Sequence, residues 1–165
     1  MLMGIDCSEE LLSFAKTNDI CLEPLDVSTL TQKLGIIMRM EAMKGDESGS
    51  LKKDKKTGKW IITVNSLHHP NRQRFTIAHE LGHYIKHNNV ADLFEDNVFF
   101  RNGDQNNYET EANKFAAEIL MPEESFRRYI SEVSKQVIDI AEKFGVSSMA
   151  VRVRAKQLGY EGHNL

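Results

Sequence analysis

Cysteine is nearly absent from this sequence: Cys7 and Cys21 are the only two, too few and too widely spaced for a disulfide framework or a two-cysteine zinc knuckle. Both are expected to remain free thiols. Long apolar runs are absent as well, since no window approaches the roughly 20 apolar residues that a membrane helix requires. Charge of one sign is missing too: 21 Lys/Arg against 24 Asp/Glu leave a formal net charge of only −3, with both signs interspersed. Such a balance does not mark the whole molecule for nucleic acid or a lipid surface, so any role of that kind must be local. The opening Met1-Leu2-Met3-Gly4-Ile5-Asp6 lacks a basic segment followed by a long apolar one, and Glu9 and Glu10 interrupt its apolar character. It does not read as a signal peptide, and a cytoplasmic protein with no membrane partner is expected.

What is present is enough for one compact unit, or a domain with a small appendage, because 165 residues match the usual domain size. Leu11, Leu12, Phe14 and Ala15 recur at helical spacing after Ser8. A second helix is expected from about Ser28 to Met43, with Leu30, Leu34, Ile37, Met38 and Met40 as its apolar positions and the methionines as core filler. Between Gly49 and Asn65 the pattern becomes a hairpin with a polar turn around Lys56-Thr57-Gly58. Its second arm, Trp60-Ile61-Ile62-Thr63-Val64-Asn65, is rich in β-branched and aromatic residues and reads as an edge strand suited to flank a groove. Phe75, Ala78, Leu81 and Ile85 predict a helix over Arg72–Lys86. Asp92 to Asn107 reads as loop with a short strand at Asn97–Arg101. Helix resumes from Tyr108 to Leu120, where Pro122 stops it. The remainder is mostly helical, broken at Gly145 and ended at Gly159.

The chemistry is concentrated in His79-Glu80-Leu81-Gly82-His83, inside the predicted helix. Residues four apart stand one above the other on a helix face, so both imidazoles can address one ion. That is what a tetrahedral zinc site needs from its first two ligands. Glu80, one position round the helix, can reach the activated water without ligating the metal, as a general base that then passes its proton to a leaving amine. Ordinary residue usage makes a chance occurrence of this pattern a matter of roughly one percent or less in a chain of this size.

A catalytic zinc site usually takes three protein ligands and keeps an open position. His87, Glu95, Asp96, Asp104, Glu109 and Glu111 are the downstream candidates. His87 continues the series of fours but lies a further turn along, and is expected at a solvent-facing or helix-end position. A facing helix is the better source. There Glu109 shares its side with Ala112, Asn113 and Ala116, whose small size permits close approach, whereas Glu111 shares its side with Phe115 and Glu118. Glu109 is the preferred ligand and Glu111 the alternative. Asn113, one turn on, can hydrogen-bond a ligating histidine and fix its tautomer, or it is an ordinary surface amide.

The run Arg74-Phe75-Thr76-Ile77-Ala78-His79-Glu80-Leu81-Gly82-His83-Tyr84, followed by Glu109-Thr110-Glu111-Ala112-Asn113-Lys114-Phe115-Ala116-Ala117-Glu118-Ile119-Leu120-Met121-Pro122, resembles the ImmA/IrrE family of metallopeptidases. Ile62-Thr63-Val64-Asn65 also resembles the strand leading into that family's active-site helix, so the likeness runs from about Gly49 to Gly159. It implies an α+β fold: a zincin-like, mostly helical domain with a small sheet over residues 1–122, and a helix-turn-helix-like C-terminal segment over 123–165 packed on it. It further implies a gluzincin-like endopeptidase with one Zn2+ on His79, His83 and Glu109 and Glu80 as base. The implied substrate is a helix-turn-helix repressor, in proteins often encoded by phages and mobile elements. Ligand type alone leaves Mn2+ or Fe2+ open.

The tail carries a different possibility. Val137–Phe144, a Gly145-Val146-Ser147 turn and Ser148–Leu158 form a helix-turn-helix-like pattern bearing Arg152, Arg154 and Lys156. Residues 127–158 hold seven Lys/Arg against three Asp/Glu, so DNA contact by the second helix is conceivable. Packing on the catalytic unit, or docking of the substrate, is the expected use of these helices. The rival to an enzyme is a non-catalytic, metal-containing regulator that binds a repressor or DNA through them.

Overall fold

The structure, a computed structural model, describes residues 4–96 and 107–160. Its centre is helix α3, Pro70–His87 in chain order, which is buried over nearly all of its circumference between Phe75 and His83. Its start follows local chemistry: His69 caps it by accepting the Asn71 amide at Nδ1 (3.0 Å), and Pro70 occupies the first turn, where a missing N–H costs nothing. Preceding it are helices α1 (Ser8–Thr17) and α2 (Val27–Lys33) and strands β1 (Ile37–Glu41), β2 (Gly49–Lys53) and β3 (Trp60–Asn65). After it come strand β4 (Leu93–Asp96) and helices α4 (Asn107–Leu120), α5 (Glu123–Glu132), α6 (Val137–Phe144) and α7 (Ser148–Gln157). Helices and a small sheet therefore make an α+β fold, as the sequence leads one to expect.

The four strands lie in the order β1-β3-β2-β4. β2 is antiparallel to both β3 and β4, while β1 runs parallel to β3 with Ile37 opposite Ile61. Leu51, Ile62 and Val64 are fully buried on the face that α3 covers. Helix and sheet touch closely enough that a Cβ added at Gly49 would lie 2.5 Å from the Thr63 carbonyl oxygen and 2.6 Å from Cγ2 of Thr76. Only glycine fits there.

Three expectations change. The helix expected over Ser28–Met43 ends at Lys33, because Gly35 takes a left-handed conformation (φ +81°) and the following Ile-Met-rich residues pair with β3 as β1. Pairing with a buried strand outweighs the helical spacing of Ile37, Met38 and Met40. Trp60–Asn65 is an interior strand, since β1 takes its second side; the edges of the described sheet are β1 and β4. The strand expected at Asn97–Arg101 lies outside the described residues, and β4 occupies the preceding stretch that reads as loop.

The C-terminal helices share the core of the preceding residues. Phe126, Ile140, Phe144, Val146 and Val151 belong to the same buried cluster as Leu11, Leu30, Leu81 and Phe115. Half-buried Arg74 of α3 fastens the α6–α7 turn, donating from Nε to the Gly145 carbonyl (2.9 Å) and from its terminal nitrogens to those of Phe144 (3.2 Å) and Leu25 (2.6 Å). The turn itself is built by left-handed Gly145 and by Ser147, whose Oγ accepts the Ala150 amide. Arg154 is also internal, its Nε donating to the Met121 carbonyl (3.0 Å). The basic row expected on α7 is thus reduced to Arg152 and Lys156 at its surface.

Candidate metal centre

His79 and His83 occupy successive turns of α3, both fully buried, with their rings nearly perpendicular and 4.8 Å apart. α4 delivers Glu109 to them. One carboxylate oxygen of Glu109 is 3.1 Å from Nε2 of His79 and the other 2.9 Å from Nε2 of His83. The three ligand-type atoms all fall within 4.8 Å of one another, and among the described residues no other group of three or more His, Cys, Asp or Glu converges this way. Glu109 remains 27% exposed and is the side on which the cluster meets solvent.

Close approach of two helices makes this possible. A Cβ at Gly82 would stand 3.1 Å from Cα of Ala112 and 3.2 Å from both the Ala112 carbonyl oxygen and Cβ of Phe115. Glycine on α3 facing alanine on α4 therefore sets the spacing that carries Glu109 to the imidazoles.

The outer nitrogen of each imidazole has a partner. Asn113, one turn after Glu109, places Oδ1 2.8 Å from Nδ1 of His79. An amide oxygen accepts, so Nδ1 of His79 carries the hydrogen and Nε2 turns its lone pair toward Glu109. Lone pair facing carboxylate oxygen at this distance is an arrangement that a cation between them satisfies. Two imidazole nitrogens and one carboxylate oxygen are a donor set that fits zinc. Glu80 is fully buried beside the cluster, its Oε1 4.0 Å from Nε2 of His79.

His87 is the last residue of α3, the helix-end position expected of it, but it does not face solvent. It is buried, with 2% of its side chain accessible, and its Nδ1 lies 2.9 Å from Nδ1 of His83. Its Nε2 is 3.2 Å from Oε2 of half-exposed Glu111. Burial pushes the His87 imidazole below the ordinary histidine range, against the opposing pull of the Glu111 carboxylate. Glu111, the alternative third ligand, thus sits beside His87 instead of the paired Nε2 atoms. A further neighbour had no sequence signal: Phe94 of β4 stacks on His83, rings 13° from parallel and 4.3 Å apart. Only the sheet register brings that phenylalanine to the site.

Residues 31–156 match the profile of the family described as the IrrE N-terminal-like domain. The chain is 33% identical over 127 residues to metallopeptidase ImmA of Bacillus subtilis (strain 168), an alignment covering 70% of this chain and 66% of that protein. It is 35% identical over 99 residues to the radiation response metalloprotease IrrE of Deinococcus radiodurans, covering 59% of this chain and 26% of that one. The chain therefore spans just under two thirds of the first relative and about a quarter of the second. A solved structure described as a Mycobacterium tuberculosis transcriptional regulator superposes with a TM-score of 0.65 at 16% identity, over 93% of this chain and 47% of that one. At that identity the likeness concerns the fold alone.

Proposed function

This chain belongs to the IrrE N-terminal-like domain family, and from that membership we propose that it is a zinc-dependent endopeptidase with His79, His83 and Glu109 as metal ligands and Glu80 as general base. The observation that carries this reading is the convergence of the Glu109 carboxylate on both Nε2 atoms, at 3.1 and 2.9 Å. A zinc ion held there supplies Lewis acidity, which makes water a competent nucleophile near neutral pH. The protein's own part is orientation and proton transfer. Asn113 holds the His79 ring by its outer nitrogen, and the closeness of α3 and α4 holds Glu109. Glu80 takes a proton from the attacking water and delivers it to the departing amine nitrogen of the scissile peptide.

The substrate we propose is a helix-turn-helix repressor in the cytoplasm, cleaved in an extended stretch. An exposed edge strand can hold a peptide in that form, and among the described residues β4 is the edge that touches the site, through Phe94 on His83. No described helix is long and apolar enough to cross a membrane. The DNA-binding alternative is weakened by Arg154, whose guanidinium is committed to the Met121 carbonyl inside the fold.

Glu80→Gln tests the assignment. Zinc content should stay at the wild-type level while chelator-sensitive cleavage of a helix-turn-helix regulator encoded beside this chain's gene falls by roughly 10²–10⁴-fold, the usual worth of a positioned base. Cleavage that survives the substitution, or wild-type protein that never cleaves when zinc-loaded, would remove the proposed role.

A further inference from the structure

We propose that His87 and Glu111 are positioning residues for the metal centre: a hydrogen-bonded chain from the Glu111 carboxylate through the His87 ring fixes the tautomer and aim of His83. This inference rests on the reading that His79, His83 and Glu109 bind the ion.

The directions of the hydrogen bonds follow from that premise. If Nε2 of His83 gives its lone pair to a metal, Nδ1 of His83 carries the hydrogen. Its neighbour at 2.9 Å is Nδ1 of His87, which must then accept. A neutral imidazole has one donor and one acceptor nitrogen, so Nε2 of His87 carries the remaining hydrogen and donates to Oε2 of Glu111 at 3.2 Å. Each step has one consistent direction, and the chain ends on a carboxylate that only accepts.

Burial makes the arrangement specific. His87 has 2% of its side chain accessible, so water does not readily substitute for either partner. Tyr108 meets the His87 ring edge-on at 4.8 Å, and Phe94 stacks on His83, so each imidazole is packed against an aromatic ring. The two proposed histidine ligands are consequently supported differently. His79 donates to the neutral amide oxygen of Asn113, whereas His83 donates to an imidazole backed by a carboxylate. A carboxylate behind a ligating histidine raises its basicity and so strengthens its bond to the metal. His87 itself is no ligand, because both its nitrogens are used within this chain of bonds.

The test measures zinc affinity of the 165-residue chain by competition with a chromophoric chelator, together with thermal melts of the metal-free variants. His87→Leu fills the site but removes both nitrogens, and should lower zinc affinity by roughly 10–100-fold, the usual effect of deleting a ligand's hydrogen-bond partner. His87→Asn keeps an acceptor near the lost Nδ1 and should recover most of that affinity. Glu111→Gln should fall between them. An affinity for His87→Leu within twofold of wild type overturns the proposal, and so does equal damage by His87→Leu and His87→Asn, the mark of packing alone. Long-range 1H–15N NMR of the zinc-loaded wild type decides the matter even if the variants fold poorly. His83 should be protonated at Nδ1 and His87 at Nε2; a hydrogen on Nδ1 of His87 sinks the proposal. His79→Ala separates this inference from the reading beneath it. If it leaves zinc binding intact, the metal site itself is wrong and this inference goes with it; if it abolishes binding while His87→Leu does not, only the positioning role fails.

Discussion

Glu109 and Glu111 show how two residues of the same type, two positions apart, receive different work from their surroundings. Glu109 faces two imidazoles with both carboxylate oxygens, whereas Glu111 lends one oxygen to His87 from a half-exposed position. Removing a proposed ligand should therefore cost more than removing a support. Glu109→Ala is expected to abolish stoichiometric zinc in protein purified without added metal. Glu111→Ala should retain zinc with an affinity lowered by roughly tenfold. Metal analysis of both variants checks this, and equal losses would contradict the division of roles. The convergence of His79, His83 and Glu109 is legible in the sequence because it depends on a helix period and on a row of small residues. The surroundings of His87 are not, since its place at the helix end says nothing of Tyr108, Phe94 and Glu111, which the fold brings around it.

Elements bring these residues together through spacing that one glycine sets. At Gly82 a larger side chain would press on the Ala112 backbone, and a helix backbone cannot yield locally as a flexible side-chain tip does. Gly82→Val should destabilise the fold by about 1–3 kcal/mol as an overpacked contact. For a chain of this size that lowers Tm by roughly 2–4 °C per kcal/mol. Zinc affinity should fall with it, because displacing α4 moves Glu109 away from α3. Circular dichroism melts and a zinc titration would measure the two effects, and a variant unchanged in both would show that the close approach is dispensable. The sequence reveals α3, α4 and the hairpin because their patterns are local. It misassigns Ile37–Glu41, whose apolar residues also fit a helix, because the deciding partner β3 lies more than 20 residues further along the chain. The same nonlocal pairing turns Trp60–Asn65 from an edge into an interior strand.

At the scale of the molecule, the metal centre and the C-terminal helices are joined through α3. That helix carries His79 and His83 and, immediately before its buried stretch begins at Phe75, Arg74, whose bonds hold the α6–α7 turn and Leu25. Arg154 adds a second tie, to Met121 just past the C-terminal end of α4, the helix whose first turn carries Glu109. Division of the sequence at residue 122 follows Pro122, but the buried cluster runs through that point from Leu120 and Met121 to Phe126. A ligand that binds only the folded state stabilises everything that unfolds with its site. Free zinc at a thousand times its Kd should contribute about 4 kcal/mol, raising Tm by roughly 8–16 °C. Removing the metal with a chelator should reverse the shift, and Glu109→Ala should not show it. Trp60, the sole tryptophan, reports on the sheet by fluorescence, and far-UV dichroism reports mainly on the helices. With a shared core, both signals should move together in one zinc-sensitive transition. Two transitions, of which zinc shifts only that seen by Trp60, would instead make residues 123–165 an independent folding unit and would leave Arg74 and Arg154 as contacts of no energetic consequence.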